Sequence, residues 1–328
     1  YLRILALALP ASLGFRVYGA LSSALARPKE MMIIQIVALL LKIPANALFI
    51  FGGLGVPAFG GPGAAIATAL LSWLTLLAGW VFLRRASFYR QFDLFGTGFV
   101  RPKWTAQRAL LMLGVPMGMG YLIEVTAFTF MALFIARLGD IVVSGHQITA
   151  NFGTVLYMLP LAIASATGTL VAHAVGANEL RDARRIGNIG ILLAAILSVI
   201  SGCLTWFARS AIVRAYTPDP AIIAAAVPLF VFIGFYQLAD AIQVTAAIIL
   251  RAYTLVVIPS LIYALALWGV WLGGGYVLAF DSFGWLHGHP LGAAGFWLGN
   301  SISLAVVAAG LFFYLRAVQN RRYHGKHV

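Results

Sequence analysis

Long apolar blocks separated by short polar connections make up most of the chain. Nine blocks predict helical spans, because a hydrocarbon core is crossed by about 20 residues of helix. The pattern favours helices over a β-barrel, whose strands would give short alternating runs. The blocks cover residues 4–25, 31–51, 63–83, 109–136, 142–175, 186–206, 221–250, 256–280 and 292–315.

The fifth block is too long for a simple span. Its first part, which includes His146 and Gln147, is therefore predicted to lie at the membrane interface or to begin a tilted helix. The single cysteine, Cys203, lies inside the sixth block, where we expect a small buried apolar side chain and no disulfide framework.

The composition supports a membrane protein. Of the 328 residues, 62% are hydrophobic and 9% are charged, against roughly 45–50% and about 25% in a soluble domain. The fold class predicted is therefore an all-α polytopic membrane protein with about nine transmembrane helices.

The distribution of positive charge indicates how the chain is oriented in the membrane. The formal net charge is +13, and most of the 22 Lys and Arg residues lie in alternate connections and in the C-terminal tail. By the positive-inside rule these connections and the C-terminus are cytoplasmic. The pattern does not indicate nucleic-acid binding.

Two parts of the chain resemble each other. Spans one to three and spans seven to nine share small-residue landmarks that pair Arg27 with Arg251 and Gly63 with Gly292. Both copies run in the same direction, which is typical of parallel repeats in transporters. The alternative is a chance match in a biased composition.

The repeat predicts a larger whole. If spans one to three repeat as spans seven to nine, the partner of spans four to six would lie before residue 1. The chain would then be the remainder of a twelve-helix, two-lobe transporter that lacks N-terminal helices. Residues 1–106 would form the second half of the N-terminal lobe plus a cytoplasmic linker, and residues 107–328 the C-terminal lobe.

Only two acidic residues fall within the spans, Glu124 and Asp240. An ionised carboxylate at that depth is costly unless it faces a cavity, a cation or a proton. Burial favours the protonated form of a carboxyl and a bound cation favours the ionised form, so such a group can exchange a proton for a cation. The alternative is a carboxyl that stays protonated and hydrogen-bonds a neighbouring helix.

Other intraspan residues carry weaker signals. Arg16 and Lys42 lie at depth, where either can extend toward the interface, and Asn46 shares a helix face with Lys42. Prolines interrupt several spans and predict kinks or cavity walls. The aromatic residues Tyr121, Phe128, Phe130 and Tyr236 near the carboxylates are candidates for a cation-binding wall.

An enzyme site is not indicated. The sequence contains no acidic metal motif, nucleophile elbow or phosphate-binding glycine loop, and His287 and His289 lie in a predicted exterior loop. No cofactor and no structural metal are expected.

The stretch from Gly114 to Val125, followed by the motif of residues 145–152 (GHQITANF) and by Met158-Leu159-Pro160-Leu161, resembles the multidrug and toxic compound extrusion (MATE) transporters in their bacterial NorM-type branch. The resemblance extends over essentially the whole chain, beginning at the family's fourth helix. It implies two V-shaped lobes and exchange of Na⁺ or H⁺ for cationic, amphipathic drugs by alternating access.

The resemblance also implies functional residues. Glu124, Asp240 and Tyr236 match a cation site of the C-terminal lobe, and Gln147 and Asn151 in the motif are candidate binding residues. Asn46 and, less securely, Thr68 match a second site in the N-terminal lobe. Lys42 departs from the family's Asn, and we hypothesise that its ammonium acts there as a tethered cation.

The function predicted is a secondary active antiporter in the bacterial inner membrane, a monomer in the bilayer that exports cationic or amphipathic molecules in exchange for Na⁺ or H⁺. One alternative is a lipid-linked oligosaccharide flippase of related architecture, which should carry more basic residues in its cavity than Arg16 and Lys42. Another is an inactive fragment. A membrane transferase would need an acidic metal cluster.

Overall fold

The computed structural model describes residues 1–53, 55–92, 103–285 and 287–323, and within these ranges it consists of helices and their connections. The chain divides into two compact units, Tyr1–Pro102 and Lys103–Val328. Whether they correspond to lobes of a twelve-helix transporter stays a prediction.

The first unit contains three long helices and one short helix. Helix α3 packs against both α1 and α2. Helices α2 and α3 each carry a proline at their start, where the missing N–H has no helical partner to lose. The helices are α1 (Leu2–Ala24), α2 (Pro28–Phe51), α3 (Gly61–Arg85) and α4 (Ser87–Arg90).

The second unit is built around α9, which contacts α6, α7 and α12 and is therefore largely enclosed. The elements are α5 (Trp104–Ala136), α6 (Asp140–Gly176), α7 (Leu180–Tyr216), α8 (Pro220–Ala226), α9 (Phe230–Ala252), α10 (Val257–Leu265), a π-helical segment (Ala266–Gly274), α11 (Gly275–Phe280) and α12 (Ala293–Tyr323).

Nine stretches of the described chain are helical, long and apolar enough to cross a bilayer, which confirms the number predicted. The seventh of these stretches, Pro220–Ala252, agrees with the predicted span and consists of α8 and α9 with a turn between them. Pro228 lies in the turn between them, where its missing N–H and its ring prevent a continuous helix. By contrast, Pro44 lies within an unbroken α2.

Helix α6 runs without interruption from Asp140 to Gly176. Its first part contains His146, which is buried with 5.8 Å between its ring centroid and that of Trp297. Whether this part lies at the membrane interface or begins a tilted helix stays a prediction. Gln147, by contrast, is exposed. The first turns of α6 therefore pack inside the second unit on one face only.

Helix α7 turns its large apolar side chains outward and its small ones inward. Ile200, Leu204 and Phe207 are exposed, whereas Gly202 and Thr205 are buried against the rest of the unit. Small residues allow close helix packing in a bilayer, where lipid solvates the apolar outer face. The prediction of a buried Cys203 is wrong for this reason, because Cys203 is exposed on the outer face.

The connections of α1 to α3 recur in α9 to α12. Ala26 and Thr254, just after α1 and α9, both have positive φ angles, of 55° and 64°. Gly60 and Gly292, before α3 and α12, have φ angles of 59° and 56°. Two backbone hydrogen bonds close each hairpin. In the first, the amides of Phe59 and Gly60 donate to the carbonyls of Phe49 and Ile50. In the second, the amides of Leu291 and Gly292 donate to the carbonyls of Leu278 and Ala279.

This geometry supports the internal repeat and corrects its register. The Gly63 amide donates to the Gly60 carbonyl at 3.0 Å, and the Gly295 amide donates to the Gly292 carbonyl at 3.1 Å. Gly63 therefore corresponds to Gly295, and its predicted pairing with Gly292 is wrong by about one helical turn. Small residues recur at that spacing in both copies, so the sequence alone could not fix the register.

Candidate functional site

The second unit contains a cavity of about 510 Å³ with walls from α5, α6, α9, α10, α12 and the π-helical segment. Glu124 from α5 and Asp240 from α9 both line it. The structure thus brings together the two intraspan carboxyls that the sequence singled out, although they are more than a hundred residues apart in the chain.

Asp240 is buried because α9 is packed between other helices. The side-chain amide of Gln243 donates a hydrogen bond to the Asp240 carboxylate at 3.1 Å. Tyr236 lies one turn before Asp240 on the same face, and its ring stacks on that of Trp297 with 5.9 Å between centroids. These contacts hold the acidic and phenolic groups toward one cavity.

Glu124 is half-buried, and it lines the large cavity together with Tyr263. It also lines a smaller cavity of about 80 Å³, whose wall includes Gln243 and Arg251. Glu124 therefore lies between the large cavity and a small one that extends toward the basic end of α9.

Aromatic rings form much of the wall around the carboxylates. Tyr121, Phe128 and Tyr236 line the large cavity, as expected from the sequence. Phe130 does not belong to this lining, and its ring packs 5.8 Å from that of Trp268. A wall of ring faces beside carboxylates suits an organic cation.

Gln147 and Asn151 lie outside the lining of the large cavity. Both are exposed on α6, and the Asn151 side-chain oxygen accepts a hydrogen bond from Tyr216 at 3.0 Å. The cavity face of α6 carries Thr154 and Tyr157 instead. A role of Gln147 and Asn151 in binding stays a prediction.

Several residues that line the large cavity were not predicted as binding residues from the sequence. Their signal was weak, because aromatic and amide side chains also occur at packing and interfacial positions of many spans. The clearest available sign was the amide of Asn300 within an apolar block. The additional lining residues are Tyr157, Tyr263, Trp271, Trp297 and Asn300.

The first unit has a separate cavity of about 480 Å³ between α1, α2 and α3. Lys42 and Thr68 both line it, together with Arg16. Asn46 lies one turn further along α2, outside this lining. Its side-chain oxygen is buried and makes no hydrogen bond within the described part of the protein.

The chemistry available in the second unit is that of cation binding. Two carboxylates and several ring faces surround a space large enough for an organic cation. Across the described ranges, no three His, Cys, Asp or Glu side chains are grouped as a metal site.

Comparison with known proteins agrees with these features. The MatE family profile matches residues 116–277. A probable multidrug resistance protein NorM of Aromatoleum aromaticum is 39% identical over 322 residues, which cover 98% of this chain and 69% of the relative. The multidrug resistance protein NorM of Vibrio vulnificus strain YJ016 is 37% identical over 311 residues, which cover 95% of this chain and 67% of the relative.

Solved structures show the same fold. A crystal structure of MATE in the bent conformation superposes with a TM-score of 0.84 and 17% identity, over 99% of this chain and 69% of that one. The crystal structure of the eukaryotic MATE transporter AtDTX14 superposes with a TM-score of 0.83 and 17% sequence identity, and the match covers 97% of this chain and 71% of that one. The relatives' identity, their coverage and the shared helical fold establish that this chain belongs to the MATE family of membrane transporters and is not an enzyme.

Proposed function

We propose that the protein is a secondary active antiporter that exports cationic or amphipathic small molecules in exchange for Na⁺ or H⁺. The observation that carries this proposal is the position of Glu124 and Asp240 on one cavity. Two carboxyls that share a cavity within membrane helices can hold a substrate cation or the coupling ion, but they cannot fully satisfy both at once.

The exchange follows from this competition. With the carboxyls protonated or occupied by Na⁺, the cavity carries little net charge. A cationic substrate that approaches Glu124 and Asp240 displaces the proton or the Na⁺, because each carboxylate can neutralise only one charge at a time. Tyr236 and the other ring faces add cation–π attraction and apolar contact, which favour flat or amphipathic cations.

The relatives support the direction and the substrate class. Both NorM proteins are named for multidrug resistance, which export of drugs from the cell would provide. We place the protein in the bacterial inner membrane with a cytoplasmic C-terminus, following the positive-inside rule. A lipid-linked oligosaccharide flippase is less well supported, because the two NorM relatives are named for multidrug resistance and not for lipid transport.

Lys42 has a distinct proposed role. Its ammonium supplies a fixed positive charge in the cavity of the first unit, so that a free coupling cation is not needed there. Dependence of transport on Na⁺ or H⁺ should therefore change in Lys42→Asn. Unchanged ion dependence would remove this role and leave the second unit's site untouched.

The test of the main proposal is ethidium efflux from energised cells at matched membrane levels of each variant. Glu124→Gln and Asp240→Asn should each reduce efflux to background. Glu179→Gln and Asp182→Asn are the controls, because they remove exposed carboxylates at the start of α7 and should leave efflux intact. Efflux that survives both cavity variants would exclude the carboxylate mechanism, and no efflux from the unaltered protein would exclude dye export.

A further inference from the structure

The small cavity beside Glu124 is a narrow space along α5 and α9. Its lining runs from Glu124 to Met117 on α5 and from Gln243 to Arg251 on α9. At a rise of about 1.5 Å per residue, these stretches measure roughly 10 and roughly 12 Å. The cavity therefore extends from the carboxyl that it shares with the large cavity to the last turn of α9, which ends at Ala252.

The size of the small cavity suits water and small cations. A volume of about 80 Å³ has room for a few water molecules, since each takes up about 30 Å³ in the liquid. An organic cation with several rings does not fit. A Cβ built at Gly120, which lines the cavity, would meet no atom within 4 Å, so the space beside α5 is open.

Polar side chains line the small cavity between Glu124 and Arg251. Tyrosine hydroxyls, an amide and a serine hydroxyl supply oxygens that can replace part of the hydration shell of a small cation. Without a barrier, such a cation would reach Glu124 from the end of α9 and bypass the large cavity. The polar side chains are Tyr121, Tyr157, Gln243, Ser260 and Tyr263.

Arg251 supplies such a barrier. Its side chain is half-buried and lines the cavity at the end of α9. At the same end, the Ser260 hydroxyl donates to the Pro116 carbonyl at 3.3 Å and joins α10 to α5. A cation that passes this point must approach the guanidinium, and like charges repel strongly away from bulk water. A fixed arginine charge in a narrow pore excludes cations and protons in this way.

We propose that Arg251 seals the small cavity against H⁺ and Na⁺, so that small cations do not leak between Glu124 and the end of α9. The importance of this seal rests on the proposed antiport, because ions that bypass the large cavity would dissipate the gradient that drives export. The leak itself is measured without substrate, so the result does not depend on whether ethidium is exported.

The test is cation leak into proteoliposomes that contain the purified protein and no substrate. A potassium-diffusion potential, negative inside, drives entry of H⁺, which internal pyranine reports, or entry of radioactive Na⁺. The unaltered protein should leak no more than protein-free liposomes. Arg251→Gln should raise the H⁺ or Na⁺ flux by about tenfold or more, because the repulsion that is removed exceeds the about 1.4 kcal/mol that a tenfold rate represents. Arg251→Lys keeps the charge and should stay tight.

The charge control is Arg316→Gln, which removes a half-buried arginine of α12 outside the cavity lining and should stay tight. The space control places leucine at either of two open glycines of α5 in the Arg251→Gln background. Gly120→Leu fills the cavity and should stop the leak, whereas Gly118 lies outside the lining, so Gly118→Leu should not. A tight Arg251→Gln protein would overturn the proposal, and so would a leak that Gly120→Leu leaves unchanged.

Discussion

The side-chain amide of Gln243 donates a hydrogen bond to the carboxylate of Asp240 at 3.1 Å, within one turn of α9. Both groups are buried. Gln243 also lines the small cavity that Glu124 shares with the large one. Gln243 thus links the two carboxyl positions, and it orients Asp240 toward the cavity.

Gln243→Leu should reduce efflux by about threefold to thirtyfold, because a hydrogen bond to a charged group contributes about 1.5–3 kcal/mol in part through orientation. Efflux rates at equal membrane levels provide the measurement. The matched control is Gln237→Leu on the same helix, whose buried amide makes no hydrogen bond in the described structure. Equal effects of the two substitutions would contradict an orienting role of Gln243.

Gly153 leaves the space that Tyr236 occupies. A Cβ built at Gly153 would lie 2.5 Å from the Tyr236 hydroxyl. Gly153→Ala should therefore displace Tyr236 and lower efflux by about tenfold or more, since a shift of about 1 Å at a binding group can cost up to about 100-fold. Gly118→Ala, which meets no atom within 4 Å, should retain efflux. Normal efflux in Gly153→Ala would show that the Tyr236 position is not required.

The repeat predicts equal consequences at two equivalent glycines. A Cβ at Gly63 would clash with the Phe49 carbonyl, and one at Gly295 with the Ala279 backbone. Alanine at either position should destabilise the protein by about 1–3 kcal/mol through overpacking, measured as a lower unfolding temperature. Gly61→Ala meets open space and should cause little change. A large loss at one glycine only would contradict their equivalence.

Tyr89 fastens the short α4 to the first unit. Its buried hydroxyl donates to a Glu30 carboxylate oxygen at 2.8 Å. Burial is the main cause that raises the pKa of Tyr89 from 10.0 to about 12. Because the folded state holds this proton more tightly, the stabilisation is fully present below pH 10 and is lost as the pH rises toward 12.

Tyr89→Phe should consequently lower the unfolding temperature below pH 10, and its difference from the unaltered protein should shrink between pH 10 and 12. Tyr1→Phe, at an exposed position, should match the unaltered protein throughout. A difference that stays constant to pH 12 would show that ionisation of Tyr89 is not coupled to folding.

The nine spans and the two cavity carboxyls were predictable from the sequence because both depend on local signals. Apolar length defines a span, and a carboxyl is conspicuous within it. The exposure of Cys203 was not predictable, because it depends on α7 packing through its small residues. Tyr157 and Tyr263 were missed because their place on the cavity depends on which faces of α6 and α10 meet α5.

The register of the repeat and the cavity that Arg16 and Lys42 share could be identified only from the three-dimensional structure. Small residues repeat in both copies at near-equal spacing, and the hydrogen bonds of Gly60 and Gly292 were needed to align them. Arg16 and Lys42 are on different helices, so their common cavity depends on how α1 and α2 pack against α3.

The most direct test of the central claim is the binding of tetraphenylphosphonium to the purified protein as Na⁺ concentration and pH are varied. Substrate and coupling ion compete for Glu124 and Asp240, so the apparent Kd should rise with Na⁺ or with proton concentration. The Glu124→Gln, Asp240→Asn double variant should lose this dependence. An affinity in the unaltered protein that is independent of both Na⁺ and pH would contradict exchange at these carboxylates.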